Sequence, residues 1–250
     1  MNMSDNTVLI TGGGAGIGRG LAEAFHSAGN RVIIAGRRRS ALEETLARNP
    51  GMKAETLDVA DPKAIRSFAE KIVKDYPSLN VLINNAGIMI AEDLLNDPFD
   101  LADAEAMIAT NMLGPIRLTA ALGPHLRRQV RAAVINVTSG LAFVPLAVTP
   151  TYCATKAAMH SYSDSLRHQW SDTNVQIIEL APPAVATDLM PGHAQNPRSM
   201  PLAAYIEESM ALLSAHPDAR EICVENVKML RGAEANGKYD AVFSMLNGAR

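Results

Sequence analysis

Two side chains in the stretch TPTYCATKAAMHSY (149–162) are placed to exchange a proton. Tyr152 and Lys156 stand four residues apart in a segment with helical spacing, so both project from one face, one turn apart. A free phenol titrates near pH ~10, too high for efficient proton transfer near neutrality, and a neighbouring ammonium favours its phenolate. A surface helix would ordinarily pair the Lys with Glu. A Tyr–Lys pair instead reads as a general acid/base and the cation that tunes it.

A second feature lies near the start of the chain. TGGGAGIG (11–18) follows the strand-like run TVLITG (7–12) and opens a helical pattern. Gly12 allows a tight turn, Gly16 lets backbone approach a phosphate, and Gly18 lets helix and strand pack closely. Gly14, Ala15 and Ile17 complete the turn, and the helix N-terminus behind it offers unpaired N–H groups to a pyrophosphate. The next strand-like run, RVIIAG (31–36), ends on Gly36 where a carboxylate for a ribose 2′-hydroxyl would stand, and Arg37, Arg38 and Arg39 follow. A guanidinium there would pair with a 2′-phosphate, so NADP(H) is favoured over NAD(H). The competing reading, a solvated helix entry, holds for one or two of the three.

These groups need a scaffold, and the chain spells one out. Apolar, β-branched runs at 7–12, 31–36, 52–59, 79–87, 132–140 and 175–181 alternate with helical patterns at 17–29, 40–48, 61–76, 105–129 and around Tyr152. Asp61 and Pro62 form a cap and first-turn pair. The alternation predicts an α/β fold, a doubly wound parallel sheet with helices on both faces and right-handed crossovers. No linker or repeat divides residues 1–250, so one domain is expected. A Pro- and Gly-rich stretch after Pro182 lies beyond a strand end, where ligands bind in such sheets, and a substrate lid is expected at about 186–205. Gly123 and Pro124 interrupt the 105–129 pattern without a functional account.

Composition removes other classes. Among 250 residues, 48% are hydrophobic and 20% charged, and the net charge of −3 gives no field for nucleic acid or an anionic membrane. No run is long enough to span a bilayer, and no signal peptide is evident. Two cysteines without metal-like spacing exclude a disulfide framework and favour a cytoplasmic location. The six His residues share no ligand spacing, so no metal is expected.

Taken together, TGGGAGIG, LDV (57–59), NNAG (84–87), Asn111, Ser139 in NVTSG and YCATK (152–156) resemble the short-chain dehydrogenase/reductase family over roughly residues 5–190. The resemblance implies a Rossmann-type fold. Asp58 and Val59 would flank the adenine, Asn85, Ala86 and Gly87 the cofactor ribose, and Pro182, Val185 and Thr187 the nicotinamide. Asn111, Ser139, Tyr152 and Lys156 match the family's catalytic tetrad. Ser139 would hydrogen-bond the carbonyl oxygen, Lys156 the nicotinamide ribose, and Asn111 would bend its helix and hold a water linked to Lys156. Tyr152 would give a proton to the alkoxide that hydride transfer creates.

The implied partner is a small ketone or aldehyde and its alcohol. An apolar one is expected from Ile88, Ile90, Leu141, Phe143, Val144, Leu146 and Met190. The alternatives are a 3-oxoacyl thioester reductase, with Arg127, Arg128 and Arg131 facing an acidic carrier, and a cofactor-binding regulator that does not catalyse. Pro183 departs from the family's usual glycine after Pro182. The family's seventh strand is not evident either: residues 220–250 read as two helices split near Gly237. Its absence favours a homodimer over a tetramer, packed through the helices around 105–128 and 151–170.

Overall fold

The strand-like runs form a sheet whose every member is parallel to its neighbours, because each is followed by a helix that carries the chain back across one face. The computed structural model describes residues 1–98, 100–190 and 192–248, with the backbone alone of His193. The first half runs β1 (Thr7–Thr11), α1 (Gly16–Ser27), β2 (Arg31–Gly36), α2 (Arg39–Arg48), β3 (Lys53–Thr56), α3 (Pro62–Asp75) and β4 (Leu79–Asn84). Then come α4 (Ala102–Ile108), a π-helical turn (Ala109–Leu113), α5 (Gly114–Leu126), β5 (Ala132–Val137), α6 (Pro150–Gln169) and β6 (Val175–Leu180). The chain closes with α7 (Leu202–Ala215), β7 (Glu221–Ile222), α8 (Lys228–Arg231) and α9 (Tyr239–Asn247).

The strand order is β3-β2-β1-β4-β5-β6-β7, a doubly wound sheet in a single domain. It reverses direction between β1 and β4, so the C-terminal ends of those two strands open a crevice. Alternation along each strand feeds two cores. Val8 and Ile10, Val32 and Ile34, Val81 and Ile83 face the side of α1 and α7 with Phe25 and Tyr205. Leu9, Ile33, Leu82, Val134 and Ile177 face the side of α3, α5 and α6 with Phe68, Leu118 and Leu166. Asp61 caps α3 as expected, accepting from the Lys63 amide at 2.7 Å.

Two expectations need correction. A seventh strand exists: Glu221 and Ile222 pair in parallel with Glu179 and Leu180 of β6. At two residues it is too short to leave an alternating signature in sequence. The preference for a dimer over a tetramer loses that ground. The segment after it does hold two helices, α8 and α9, on either side of Gly237 as expected. The 105–129 pattern is not one regular helix either, since the π turn separates α4 from α5.

Gly123 now has a reason. A Cβ there would sit 2.9 Å from the Trp170 ring, whose indole also lies 5.3 Å from the Arg127 guanidinium. Trp170 thus packs between two successive turns of α5, and only glycine leaves room. Among the described residues no helix is long and apolar enough to cross a membrane.

Candidate active site

The crevice is floored by the glycine turn. Gly12 adopts φ +70°, and a Cβ on it would lie 2.8 Å from Asn85 Nδ2. Gly18 would collide with the Gly12 carbonyl at 2.4 Å, so it is the residue that lets α1 close onto the end of β1. Gly16 has φ +51° and faces only Thr187, at 3.4 Å. Gly14 packs on α2 at Ala41, with Ala15 as N-cap of α1 and Ile17 in its first turn. The start of α1 has no side-chain cap, which leaves its first N–H groups for a ligand.

Thr11, which sequence reasoning passed over, stitches the two strand ends together. Its hydroxyl accepts from the amides of Asn85 and Ala86 at 3.0 and 3.1 Å, while Asn85 Nδ2 donates to the Thr11 carbonyl at 2.9 Å. The sequence-predicted cofactor residues therefore converge. Gly12 meets Asn85 and Ala86, and Gly16 meets Thr187. Pro182 accepts the Gly140 amide at 2.8 Å, and Val185 bridges to Met200 beneath the chain that carries Thr187.

Val59 is buried beside Gly114, where a Cβ would clash with the Val59 carbonyl at 2.8 Å. Asp58 turns one carboxylate oxygen onto the Ala60 amide at 2.9 Å. Arg37 and Arg38 are exposed where β2 ends and form no ion pair among the described residues. Arg39 departs from this pair by bonding Glu43 at 2.8 Å, the solvated helix entry that competed with phosphate binding.

Further along, the tetrad residues gather. Ser139, Tyr152, Lys156 and Asn111 are all buried. The Ser139 hydroxyl lies beside the Tyr152 phenol and accepts the Leu141 amide at 3.1 Å. Lys156 Nζ lies 5.5 Å from the Tyr152 ring centre and donates to the Val137 carbonyl at 2.8 Å. A Cβ on Gly87 would be 3.3 Å from Asn111 Oδ1 and 3.8 Å from Lys156 Nζ, so Gly87 keeps that corner open. Asn111 sits in the π turn, as its expected bending of the helix requires. Its amide reads both backbone groups of Ile88: Oδ1 accepts from N at 2.9 Å and Nδ2 donates to O at 2.8 Å.

Burial sets the electrostatics. It pushes the Tyr152 phenol up, with Ser139 acting the other way. Burial also lowers Lys156 to about 8, partly countered by Glu179. Burial sets the direction of the Tyr152 shift in this chain, and the lowering influence comes from Ser139. Tyr152 is held protonated.

Tyr152 also anchors an apolar wall of Met89, Met107, Ile88, Ile90, Leu141, Leu146 and Met190. Phe143 and Val144 do not join it. Phe143 stacks edge-on with His160 at 4.9 Å and under Arg231 at 4.7 Å, while Val144 packs with Leu230 and Val242. A Cβ on Gly140, next to Ser139, would meet Leu230 and Val227 at 2.7 Å. The C-terminal segment is therefore seated on the Ser139 loop. The span expected as a lid, 186–205, contains Pro191, which lies outside the described residues, and its last residues belong to α7 with Tyr205 fully buried.

The fold also brings together His160, Glu179 and Glu221, with ligand atoms within 4.8 Å of one another, although no spacing in sequence joins them. Each already has a protein partner. Glu179 accepts from Thr138 at 2.6 Å and pairs with His160 at 2.7 Å, and Glu221 takes Arg231.

A parallel doubly wound sheet, a glycine turn at its switch point and a buried Ser–Tyr–Lys cluster beside it define a class. The chain belongs to the short chain dehydrogenase family of oxidoreductases, whose model matches residues 6–197. It is 43% identical over 251 residues to "Uncharacterized oxidoreductase DltE" of Bacillus subtilis, covering 99% of this chain and 98% of that one. It is 34% identical to the "NADP-dependent 3-hydroxy acid dehydrogenase" of Schizosaccharomyces pombe, covering 74% of each. A short-chain dehydrogenase from Streptomyces avermitilis superposes with a TM-score of 0.80 at 25% identity, over 96% of each chain.

Proposed function

We propose that this chain interconverts an apolar ketone or aldehyde and its alcohol with NADP(H), using Tyr152 as general acid/base. The observation that carries the reading is the burial of Ser139, Tyr152 and Lys156 together, with the Lys156 ammonium 5.5 Å from the Tyr152 ring and Ser139 beside the phenol. The glycine turn fits a dinucleotide, because it has no Cβ atoms where a phosphate would approach and no side chain capping α1. Gly12–Gly18 would hold the pyrophosphate, Asp58 and Val59 the adenine, Asn85–Gly87 and Lys156 the nicotinamide ribose, and Pro182, Val185 and Thr187 the nicotinamide. When bound, the nicotinamide supplies or accepts hydride.

The chain's own groups do the rest. Ser139 orients the carbonyl oxygen by hydrogen bonding. Tyr152, held protonated by burial, donates to the developing alkoxide. Lys156 then stabilises the resulting phenolate, and Asn111 keeps Ile88 and the Gly87 corner in place. The apolar wall around Tyr152 supports an uncharged substrate flank, and Met190 on the 186–201 connection covers it. Arg37 and Arg38, exposed and without an ion pair among the described residues, support NADP(H), as does the NADP dependence named for the Schizosaccharomyces pombe relative. The acyl-carrier alternative loses its support: Arg127, Arg128 and Arg131 stand where α5 leads into β5, at the end of the sheet opposite Ser139 and Tyr152.

The test is NADPH and NADH consumption over ketones, aldehydes and 3-oxoacyl thioesters, with Tyr152→Phe beside the wild type. Turnover with NADPH should fall by roughly 10²–10⁴ in the variant. Equal turnover in the variant would refute the role of Tyr152. Better turnover with NADH would refute that of the arginines. Tight NADPH binding without turnover of any carbonyl would favour the regulator.

A further inference from the structure

The apolar wall beside Tyr152 depends on how the loop after β4 is held. At its near end Ile88 is fixed through both backbone groups by Asn111. Met89 and Ile90 then pack toward Tyr152. Two residues later the loop is fixed again. The Glu92 amide donates to the Val148 carbonyl at 2.9 Å. Its carboxylate takes the first turn of α6 in a fork: Oε2 accepts the Thr151 N–H at 2.9 Å and Oε1 accepts the Thr151 hydroxyl at 2.8 Å. Beyond Glu92 the loop turns outward, with Leu94 60% and Leu95 93% exposed.

The α6 helix lacks a cap of its own. Its N-cap residue Thr149 makes no side-chain capping bond and turns its hydroxyl to the Leu146 carbonyl at 3.3 Å. Glu92 supplies the missing acceptor from another loop, and its charge suits a helix N-terminus. The residue it grips immediately precedes Tyr152.

We infer that Glu92 is a positioning residue: by capping α6 at Thr151 it fixes the spacing between the Ile88–Ile90 wall and the Tyr152 hydroxyl, and so governs how tightly the carbonyl substrate is held. This rests on the carbonyl–alcohol reading of the site. The Glu92→Gln substitution keeps both bonds within reach, since a side-chain amide can accept the Thr151 N–H through its carbonyl and donate to the Thr151 hydroxyl through its NH₂. Alanine makes neither.

The experiment compares wild type, Glu92→Ala, Glu92→Gln and Thr151→Val by steady-state kinetics with the best ketone of the panel, NADPH affinity, and amide hydrogen exchange of the substrate-free chain. Glu92→Ala should raise KM for the carbonyl about tenfold with NADPH affinity unchanged. Thr151→Val, which removes only the hydroxyl half, should raise it about threefold, and Glu92→Gln should recover most of the loss. Exchange at residues 88–92 and at the Thr151 amide should quicken in Glu92→Ala. If Glu92→Ala does not fold, Thr151→Val and Glu92→Gln carry the comparison. An unchanged KM in active variants, or unchanged exchange, overturns the inference. Quickened exchange with no carbonyl turned over even by wild type would support the pinning and count against the carbonyl–alcohol reading alone.

Discussion

Replacing Lys156 with Met should make the folded chain respond differently to pH, and the size of the effect follows from burial. Holding the ammonium near 8 instead of 10.5 costs the folded state about 3 kcal/mol wherever both folded and unfolded chains keep the proton. Below pH ~8 the wild type carries this whole cost. Between about 8 and 10.5 the unfolded chain binds more protons than the folded one, so stability rises with pH. By pH ~10 most of this should have been regained. Met has a similar length and no charge, so the variant lacks this rise. It instead leaves the Val137 carbonyl without its 2.8 Å donor, a pH-independent loss of about 1–3 kcal/mol. Near neutrality the two chains should therefore differ by little, and the wild type should gain on the variant as pH increases. Urea unfolding of both, cofactor-free, at intervals from pH 6 to 10 reads this difference directly. A difference that stays flat across the range would show that Lys156 is not desolvated as its burial implies. The charge argument for Tyr152 would then need to be rebuilt.

Changing Arg37 and Arg38 to Ala together should raise KM for NADPH by roughly ten- to a hundredfold and leave NADH kinetics nearly unaltered, with the loss shrinking at high salt; equal effects on both cofactors would refute phosphate pairing. Gly123→Ala should destabilise the chain by about 1–2 kcal/mol in thermal or urea unfolding, because the crowding against Trp170 exceeds the helix-propensity gain of about 1 kcal/mol. Gly18→Ala, whose Cβ would meet backbone at 2.4 Å, should abolish cofactor binding or folding, and a variant that binds NADPH normally would contradict the close packing of α1 on β1.

Much of this site could be read from the chain because its information is local. Strand alternation, the glycine turn and the one-turn spacing of Tyr152 and Lys156 are short-range patterns, and each reappears in place. What escaped is what depends on contacts between distant segments. β7 exists only because β6 offers an edge to two residues. Glu92 means nothing until its loop lies against α6, 59 residues later. The direction of the Tyr152 shift turns on burial, which a motif does not contain. Gly123 looked like a fault in a helix until Trp170 was found lying across it. Phe143 and Val144 had the right composition for a substrate wall but are claimed by the C-terminal segment.

The π turn at Ala109–Leu113 has a consequence for comparing chains of this kind. It accommodates one more residue than a regular α-helical turn over the same rise, so it behaves as an insertion whose ends stay in register with α4 and α5. Deleting any one of its residues would let the segment relax into a continuous helix that satisfies every backbone bond. The loss would be rotational: residues before the cut would swing by about 100° relative to those after it. Either Asn111 would leave Ile88 or the Leu118–Leu122 face would leave the core. A gap placed here in an alignment thus marks a gain or loss of the site's geometry, even where all four tetrad residue types remain.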